Sequence, residues 1–481
     1  MRRMRDQRWT RLATRLMLCA LGLTTACAGN AARPNVLLIT IDTLRADHLG
    51  CYGYGRRTSP RVDRLAAEGA LFERAYTSLP RTTQSIASIL TGRFPKGHGA
   101  RGLFSRLPEA NVTLAEILKE HGYATAAFTT NSFLRPGQGF EQGFDLYDNP
   151  ESRWVGDSAV PLTRAAVTWL QSRPAGTPWF LWVHYLDPHW TYEPGEPFDT
   201  AFTRPLDRPF TLYGDLAAGR LTKGQVIFEN RLDADAVDHV IALYDGEIAQ
   251  VDAALGPLLD AAASAGSPPL IMLTSDHGES LGEQGYFFAH GEYLYEPTLR
   301  IPLIASLPER IPPGLRAPGL AHNVDIAPTI LALLGINRMQ SVDGRPLLMA
   351  ADDAADGSRW VRPAPGRDLV FAESDFQLIH PENPRYYIPG PSGRWSSASD
   401  GRFKVIGIPR PGGDRLERYD LQEDPGETRN LDGSDIGRAA ASRLLQELLL
   451  FVDYDGGIGP VTPRDIAPEE RERLRSLGYV N

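Results

Sequence analysis

The stretch VLLITID, residues 36–42, decides the fold of this chain. It is an apolar run of strand length that ends in a carboxylate. A continuous apolar run is typical of a parallel strand that is covered on both faces. The stretch therefore predicts an α/β fold, with Asp42 at the carboxyl end of a mostly parallel sheet.

Helix and strand patterns alternate after this run. The segment TSPRVDRLAAEGALF begins with a Ser59 cap and Pro60 at the first helical position, which predicts a helix. Further helices are predicted at TLAEILKEHG, PLTRAAVTWLQSR and HVIALYDGEIAQVDAALGPLLDAAASAG, and strands at YATAAFTT, PWFLWVHYLDPH and PLIMLTSDHG. We expect a central sheet flanked by helices over residues 34–350.

The pattern changes from about Asp352. Short strands are predicted at DLVFAES, GRFKVIGIPR and DRLERYDLQED, and a helix at GRAAASRLLQELLLFVDY. These segments predict a small antiparallel α+β domain at residues 360–452, followed by a tail at 453–481.

The first 29 residues have the layout of a bacterial export signal. An arginine-rich start precedes an apolar run from Leu16 and small residues around Cys27. The TTAC sequence resembles a lipoprotein cleavage box in which Cys27 is lipidated; plain cleavage and an uncleaved anchor are the alternatives. We expect export to the periplasm or cell envelope, with membrane contact only through this leader.

Charge and cysteine content exclude several classes of protein. The 481 residues carry a formal charge of -9, and loss of residues 1–26, with six Arg and one Asp, moves it to -14. Nucleic acid binding needs a basic surface, so we expect no nucleic acid partner. After lipidation at Cys27 only Cys51 remains free, which leaves no structural disulfide.

Polar residues follow several predicted strands. They are Asp42, Asn131, Asp187 with His189, and Asp276 with His277. Ligands of open α/β sheets bind beyond the carboxyl ends of the strands, where such residues converge. We interpret Asp42, Asp276 and His277 as ligands of a divalent cation, although each alone could be a turn or cap residue. The carboxylates suit calcium, magnesium or manganese, and histidine suits zinc or manganese.

The segment PRTTQSIASILTG, residues 80–92, predicts a short helix that ends at Gly92. Thr82 is either the cap of this helix or a nucleophile at its positive end, where the helix dipole and a cation would favour an alkoxide. Thr83 and Ser85 are rival hydroxyls, and composition does not choose among the three.

Ordered blocks of the chain closely resemble the sulfatase family of the alkaline phosphatase superfamily. They are NVLLITIDTLRADHLGCYGY, TSPRVDRLAAEGALFERAYT, ASILTGRFPKGHG, HGYATAAF, TSDHGESLGEQG, VDIAPTILALLGI and RYDLQEDPGETRNL. Alignment of ASILTG with the family motif CxPxRASLLTG places Thr82 at the cysteine that becomes formylglycine. The resemblance thus implies that Thr82 is the nucleophile, as in threonine-type relatives, and that formylglycine cannot form.

The resemblance also implies roles for three further residues. His189 is similar to a histidine that assists the leaving group, and His290 to one that contacts phosphate or a second cation. Asn131 resembles an amide that binds the transferred group. A loop histidine and a turn residue are the alternatives for His189 and Asn131. The second aspartate after the first strand and the GK pair of the family are absent here, at Thr43 and at Thr129 with Thr130.

These departures favour phosphate chemistry. Formylglycine hydrate expels sulfate by means of a second hydroxyl that threonine lacks, whereas phospho-threonine is opened by in-line attack at phosphorus. We expect a metal-dependent hydrolase of phosphate diesters or monoesters, acting on a small-molecule or glycan ester. A sulfuric ester hydrolase without formylglycine and a non-catalytic carbohydrate or envelope binder are the alternatives.

Three other polar residues are interpreted as structural. We expect His98 to be a loop histidine, Asp325 to be a helix cap, and Lys404 to be a solvated lysine on a strand of the small domain.

Overall fold

The computed structural model describes residues 33–453, except 103, 151–157, 208–209, 338, 340–341, 351–359, 375–393, 411–414 and 432–434. The leader with Cys27 and the tail beyond Asp453 lie outside the described residues, as do residues 351–359, where the sequence pattern changes. The domain boundaries therefore stay predictions.

A central sheet of nine strands organises the molecule. Its members are β1 Val36–Ile41, β2 Ala70–Tyr76, β3 Ala124–Thr129, β4 Leu146–Asp148, β5 Trp179–Tyr185, β6 Leu270–Ser275, β9 Arg300–Ile301, β10 Leu303–Ser306 and β11 Leu315–His322. Their order is β11-β2-β10-β6-β1-β5-β3-β4, with β9 beside β2. Only the pairs made by β9 and β10 are antiparallel, so the expected mostly parallel sheet is confirmed.

Helices cover both faces of this sheet. In chain order they are α1 Pro60–Glu68, α2 Thr82–Thr91, α3 Pro95–His98, α4 Leu114–Glu120, α5 Ala159–Ser172, α6 Leu212–Ala217, α7 Lys223–Ile227, α8 Ala234–Ser264, α9 Glu296–Leu299 and α10 Ile326–Leu333. Alternate residues of β1 enter two different apolar clusters: Val36 and Leu38 lie in one, and Leu37 and Ile39 in the other. This two-sided burial explains the continuous apolar run.

The C-terminal part forms a small antiparallel sheet of β14 Val370–Glu373, β15 Ser396–Ser399, β16 Phe403–Ile408 and β17 Arg415–Asp420. Helix α11, Asp435–Asp453, packs on it through Leu444 and Leu448. Two short ribbons complete the fold, β7 Ser280–Leu281 with β8 Phe287–Ala289 and β12 Leu348–Ala350 with β13 Val361–Pro363. The expected antiparallel C-terminal domain is thus present.

The four central strands all run in the same direction. Strands β6, β1, β5 and β3 are parallel neighbours, so their carboxyl ends lie together at one end of the sheet. Among the helices within the described residues, none is long and apolar enough to cross a bilayer.

Candidate active site

Three buried acceptor atoms converge beyond β1 and β6. His277 Nε2 lies 3.7 Å from Asp42 Oδ1 and 3.4 Å from Asp276 Oδ2, and all three side chains are fully buried. These three atoms have no hydrogen-bond partner among the described residues. Buried acceptors without a donor are costly, so their convergence fits a bound cation.

The other oxygen of each carboxylate is occupied by the protein. Asp276 Oδ1 accepts from the backbone amides of His277 at 2.8 Å and Thr43 at 3.2 Å. Asp42 Oδ2 accepts from Asn131 Nδ2 at 2.7 Å. Each carboxylate is therefore fixed by one oxygen and presents the other, which is the arrangement that a rigid cation site requires.

The two carboxylates differ in electrostatics. Burial alone would raise the pKa of Asp42, but contact with His184 and the charges of His189 and His277 hold it at about 2. The pKa of Asp276 is raised well above its usual value, first by burial and then by the charge of Asp42. A divalent cation between the two carboxylates would relieve their repulsion.

His184 belongs to this site although the sequence analysis did not select it. Its Nε2 lies 3.5 Å from Asp42 Oδ2, and ligand atoms of Asp42, His184 and Asp276 all lie within 4.8 Å of one another. Trp182 Nε1 donates to Thr40 Oγ1 at 2.9 Å, and the Thr40 hydroxyl lies 2.8 Å from His184 Nδ1. If the Thr40 hydroxyl donates to His184 Nδ1, the hydrogen of the neutral ring is on Nε2, and this N–H faces Asp42.

His277 has the opposite tautomer. Its Nδ1 donates to the carbonyl of Gly278 at 2.9 Å, which leaves a lone pair on Nε2. Burial lowers the pKa of His277 to about 4, against the effect of Asp42, so the ring is neutral at neutral pH. The hydrogen bonds therefore leave the lone pair of His277 Nε2 able to accept a cation, whereas His184 Nε2, which also has no hydrogen-bond partner among the described residues, faces Asp42 Oδ2.

Thr82 lies at the start of α2, next to Asp42. Its hydroxyl is 3.4 Å from Asp42 Oδ2, and the side chain is 4% exposed. The cap of α2 is Arg81, so Thr82 is the first helical residue, and Gly92 ends the helix as expected. The amides of a first helical turn and the helix dipole make such a terminus attractive to an anion.

The rival hydroxyls are placed differently. Ser85 is fully buried, and its hydroxyl donates to the carbonyl of Asp276 at 2.6 Å. Thr83 is 1% exposed. Thr82 is the hydroxyl that contacts Asp42, which supports the alignment of Thr82 with the nucleophile.

Asn131 contacts both Thr82 and Asp42. Besides its bond to Asp42, its Nδ2 lies 3.4 Å from Thr82 Oγ1, and its Oδ1 accepts from the backbone amide of Phe133 at 2.9 Å. The amide group is thus oriented with its hydrogens toward Thr82, where they can also meet an oxygen of a transferred group.

The two remaining predicted histidines lie beside this centre. The ring of His290 is 4.3 Å from that of His277 and 5.3 Å from that of His189. His290 Nδ1 is hydrogen-bonded to Glu279 Oε1 at 2.9 Å, and His189 Nδ1 donates to the carbonyl of Trp190 at 2.9 Å. Burial lowers the pKa of both rings, so each presents a neutral Nε2.

A buried ion pair joins the nucleophile segment to the His290 segment. Arg81 Nη2 donates to Glu292 Oε1 at 2.8 Å, and Tyr286 donates to Glu292 Oε2. Gly291 has φ +100°, and an added Cβ would lie 2.0 Å from Arg81 Nε. Only glycine allows this close approach.

The structure corrects two structural assignments. Lys404 is 2% exposed rather than solvated, because Glu296 and Glu427 accept from its ammonium at 3.1 and 2.8 Å. His98 is buried at the end of α3, with Nε2 3.1 Å from Ser88 Oγ, and is no loop residue.

Asp325 is structural and occupies the N-cap position of α10, as expected. Its carboxylate makes no cap bond to α10; it accepts from the backbone amide of His322 at 2.9 Å, in a capping box at the preceding 3₁₀ turn, and from Arg367.

Comparison with known proteins identifies relatives along most of the chain. The sequence model of the family described as Sulfatase matches residues 34–336. An N-acetylglucosamine-6-O-sulfatase of Bacteroides thetaiotaomicron is 24% identical, over 96% of this chain and 93% of its own length. Human arylsulfatase A is 28% identical, over 91% of this chain and 90% of its own. The phosphonate monoester hydrolase structure of Agrobacterium radiobacter has a TM-score of 0.70 and 22% identity, covering 91% of this chain and 99% of that one.

Proposed function

Because the chain belongs to the sulfatase family of the alkaline phosphatase superfamily and is an ester hydrolase, we propose that it hydrolyses phosphate esters through a covalent intermediate on Thr82. The single observation that carries this proposal is the contact of Thr82 Oγ1 with Asp42 Oδ2, beside three converging acceptor atoms. A threonine hydroxyl is a phosphoryl acceptor in such an environment.

Each side chain has a task in this reaction. The oxygen of Thr82 attacks phosphorus, the bond to the leaving oxygen breaks, and water later attacks the phospho-threonine. Asp42 Oδ2 is within reach of the hydroxyl proton, and the amide of Asn131 is placed to donate to a phosphoryl oxygen. Asp42, Asp276 and His277 would hold a divalent cation, which supplies charge neutralisation and lowers the pKa of the nucleophile.

His189 is neutral in the free protein, because burial lowers its pKa. Its Nε2 is therefore a base that could activate the water of the second step. To assist the leaving group as an acid, the ring must first take up a proton, which the negative charge of a bound substrate would favour.

The second candidate is a sulfuric ester hydrolase that works without formylglycine. The names of the two sequence relatives favour it, and the first of them acts on a glycan ester. We propose a small-molecule or glycan ester as substrate in either case. A non-catalytic binder is less well supported, since the three converging acceptors fit a cation.

A substrate panel tests this function. We expect the cation-loaded protein to hydrolyse an aryl phosphate or phosphodiester faster than the matching sulfate, and Thr82→Ala to lose at least about 10³-fold in kcat. Thr82→Ser should keep part of the activity, and Thr83→Ser should keep nearly all of it. Mass spectrometry should find the phosphoryl adduct on the peptide with Thr82. Preference for sulfate, or full activity of Thr82→Ala, would refute the proposal.

We further propose that the protein is exported and anchored at Cys27, on the basis of the arginine-rich, apolar leader. Mass spectrometry of the protein from cell envelopes should show a lipid-modified Cys27 as the first residue. A chain that still carries the leader, or that begins elsewhere, would contradict this.

A further inference from the structure

A short helix brings a lysine to the rim of the active site. Helix α7 lies in the connection between β5 and α8, and the capping box of Thr222 and Gln225 fixes its start. Phe228, just after the helix, stacks on Tyr286 with ring centroids 5.9 Å apart. This contact holds α7 beside β8, the strand that leads to His290.

Lys223 is the first residue of this helix. Its Nζ lies 4.8 Å from the ring centroid of Trp190, a cation–π distance. Trp190 follows His189, whose ring contacts His290. The residue is partly exposed, and its ammonium group lies over the indole that follows His189.

The fold keeps this ammonium group close to other cationic groups. Burial, and then the positive charge of Arg81, lower the pKa of Lys223 to about 7. Lys223 in turn contributes to the lowered pKa of His189 and His290. A cation that is repelled by its neighbours is stabilised when an anion binds next to it, which is typical of a preformed anion site.

The reacting phosphoryl group does not need this lysine. In the proposed function that group is attacked by Thr82 and would be bound by the amides of the first turn of α2 and by the carboxylate-bound cation. The charge of Lys223 lowers the pKa of His189 and His290, whereas the pKa of Asp42 depends on His184, His189 and His277. The charge of Lys223 therefore acts on the His189 side of the site, where the proposed function places the leaving group.

We propose that Lys223, supported by Trp190, binds a second acidic group on the leaving-group part of the substrate: a carboxylate, or a further phosphate or sulfate. This specificity rests on the proposed function, which defines the leaving group. Substrates with an anionic leaving group would bind in preference to neutral ones of the same size.

Two matched aryl phosphates test the subsite: 4-nitrophenyl phosphate and its carboxylated analogue, the phosphate ester of 5-hydroxy-2-nitrobenzoate. We expect Lys223→Met to lower the ratio of kcat/KM, carboxylated over neutral, about tenfold, mainly through KM. Lys223→Arg should keep most of the ratio. Lys119→Met, on α4 and remote in sequence from the site, should leave both substrates unaffected.

Equal losses on both substrates, or an unchanged ratio, would overturn the subsite. A second measurement separates this failure from failure of the proposed function. Calorimetry on cation-loaded Thr82→Ala with 5-hydroxy-2-nitrobenzoate needs no turnover, and addition of Lys223→Met should weaken binding about tenfold. Unchanged binding would refute the subsite even if the enzyme hydrolysed phosphate as proposed.

Discussion

At the scale of single residues, the hydrogen bonds divide the two buried histidines of the site into different roles. His277 uses Nδ1 as a donor and presents the lone pair of Nε2 next to Asp276 Oδ2. His184 Nδ1 lies 2.8 Å from the Thr40 hydroxyl, and Nε2 faces Asp42 Oδ2. If the Thr40 hydroxyl donates to Nδ1, His277 would bind the cation and His184 would hold its ligand Asp42 in place.

Cation titration distinguishes these roles. We expect His277→Ala to weaken cation binding more than His184→Ala, with a loss of about 10- to 100-fold for the residue that only orients Asp42. Isothermal titration of chelator-stripped protein with manganese or calcium measures the cation affinity of both variants.

His98→Ala is a matched control, because His98 is a buried histidine bonded to Ser88 and not to the carboxylates. The assignment is wrong if His184→Ala loses more affinity than His277→Ala.

The sequence identified most of the site because a parallel sheet gathers residues that follow its strands. Asp42, Asn131, Asp276 and His277 all come directly after strands, and they converge as predicted. His184 is within β5, and its partner Thr40 is fixed only by the register of β1 against β5. Register depends on the packed sheet, so the only sequence signal for His184 is a histidine within an apolar strand.

At the scale of elements, the long periodic segments were predictable and the short ones were not. Helix α8 and strands β1, β5 and β6 match their sequence patterns. Strand β2 was not predicted, because its first residues followed the helical pattern of α1 across Gly69. Helix α7 has five residues, and its position depends on contacts with β8 rather than on periodicity.

The ion pairs of Lys404 could not be predicted from the sequence. Its partner Glu427 is also bonded through Oε2 to the backbone amide of Glu296, at the start of α9. The lysine is on β16, so the group ties the small sheet to the segment after His290. The residues that make these contacts are far apart in the sequence. A lysine within a predicted strand indicates only a solvent-exposed side chain.

Loss of the lysine should destabilise the protein. Lys404→Met leaves the buried carboxylate of Glu427 and the partly buried one of Glu296 without their cation, so we expect the free energy of unfolding to fall by about 3 kcal/mol. Urea denaturation measures it, and the double variant Lys404→Met/Glu427→Gln should recover part of the loss. The half-exposed pair of Lys119 and Asp145 supplies the control, since Lys119→Met should change stability by less than about 1 kcal/mol.

Glu427 should make stability depend on pH. Burial raises the pKa of Glu427 to about 7, although Lys404 opposes this. The folded protein thus holds a proton that the unfolded chain releases near its ordinary pKa. The resulting stability is fully present below about pH 4.5 and is lost as pH rises through about 7. Denaturation at pH 5 to 8 should show this decline in the parent and a flatter profile in Glu427→Gln; parallel profiles would contradict it.

At the level of the whole molecule, the candidate cation site joins segments that are distant in the chain. Asp42 follows β1, Asp276 and His277 follow β6, and Asn131 follows β3, so the carboxyl ends of the central strands bring these side chains together. The small sheet contacts the segments around the site, since Lys404 pairs with Glu296 and the amide of Glu373 donates to the carbonyl of Ser78.

Cation binding should therefore stabilise the entire fold. A ligand that binds only the folded state adds about 4 kcal/mol at a thousandfold excess over its dissociation constant, which predicts a rise of several degrees in Tm. Differential scanning fluorimetry of chelator-treated protein should show this rise as manganese, calcium or zinc is added. The shift should disappear in Asp276→Asn, which keeps the volume of the side chain and removes its charge. An equal shift in Asp276→Asn would place the stabilising cation elsewhere and leave the acceptors of Asp42 and His277 without their proposed role.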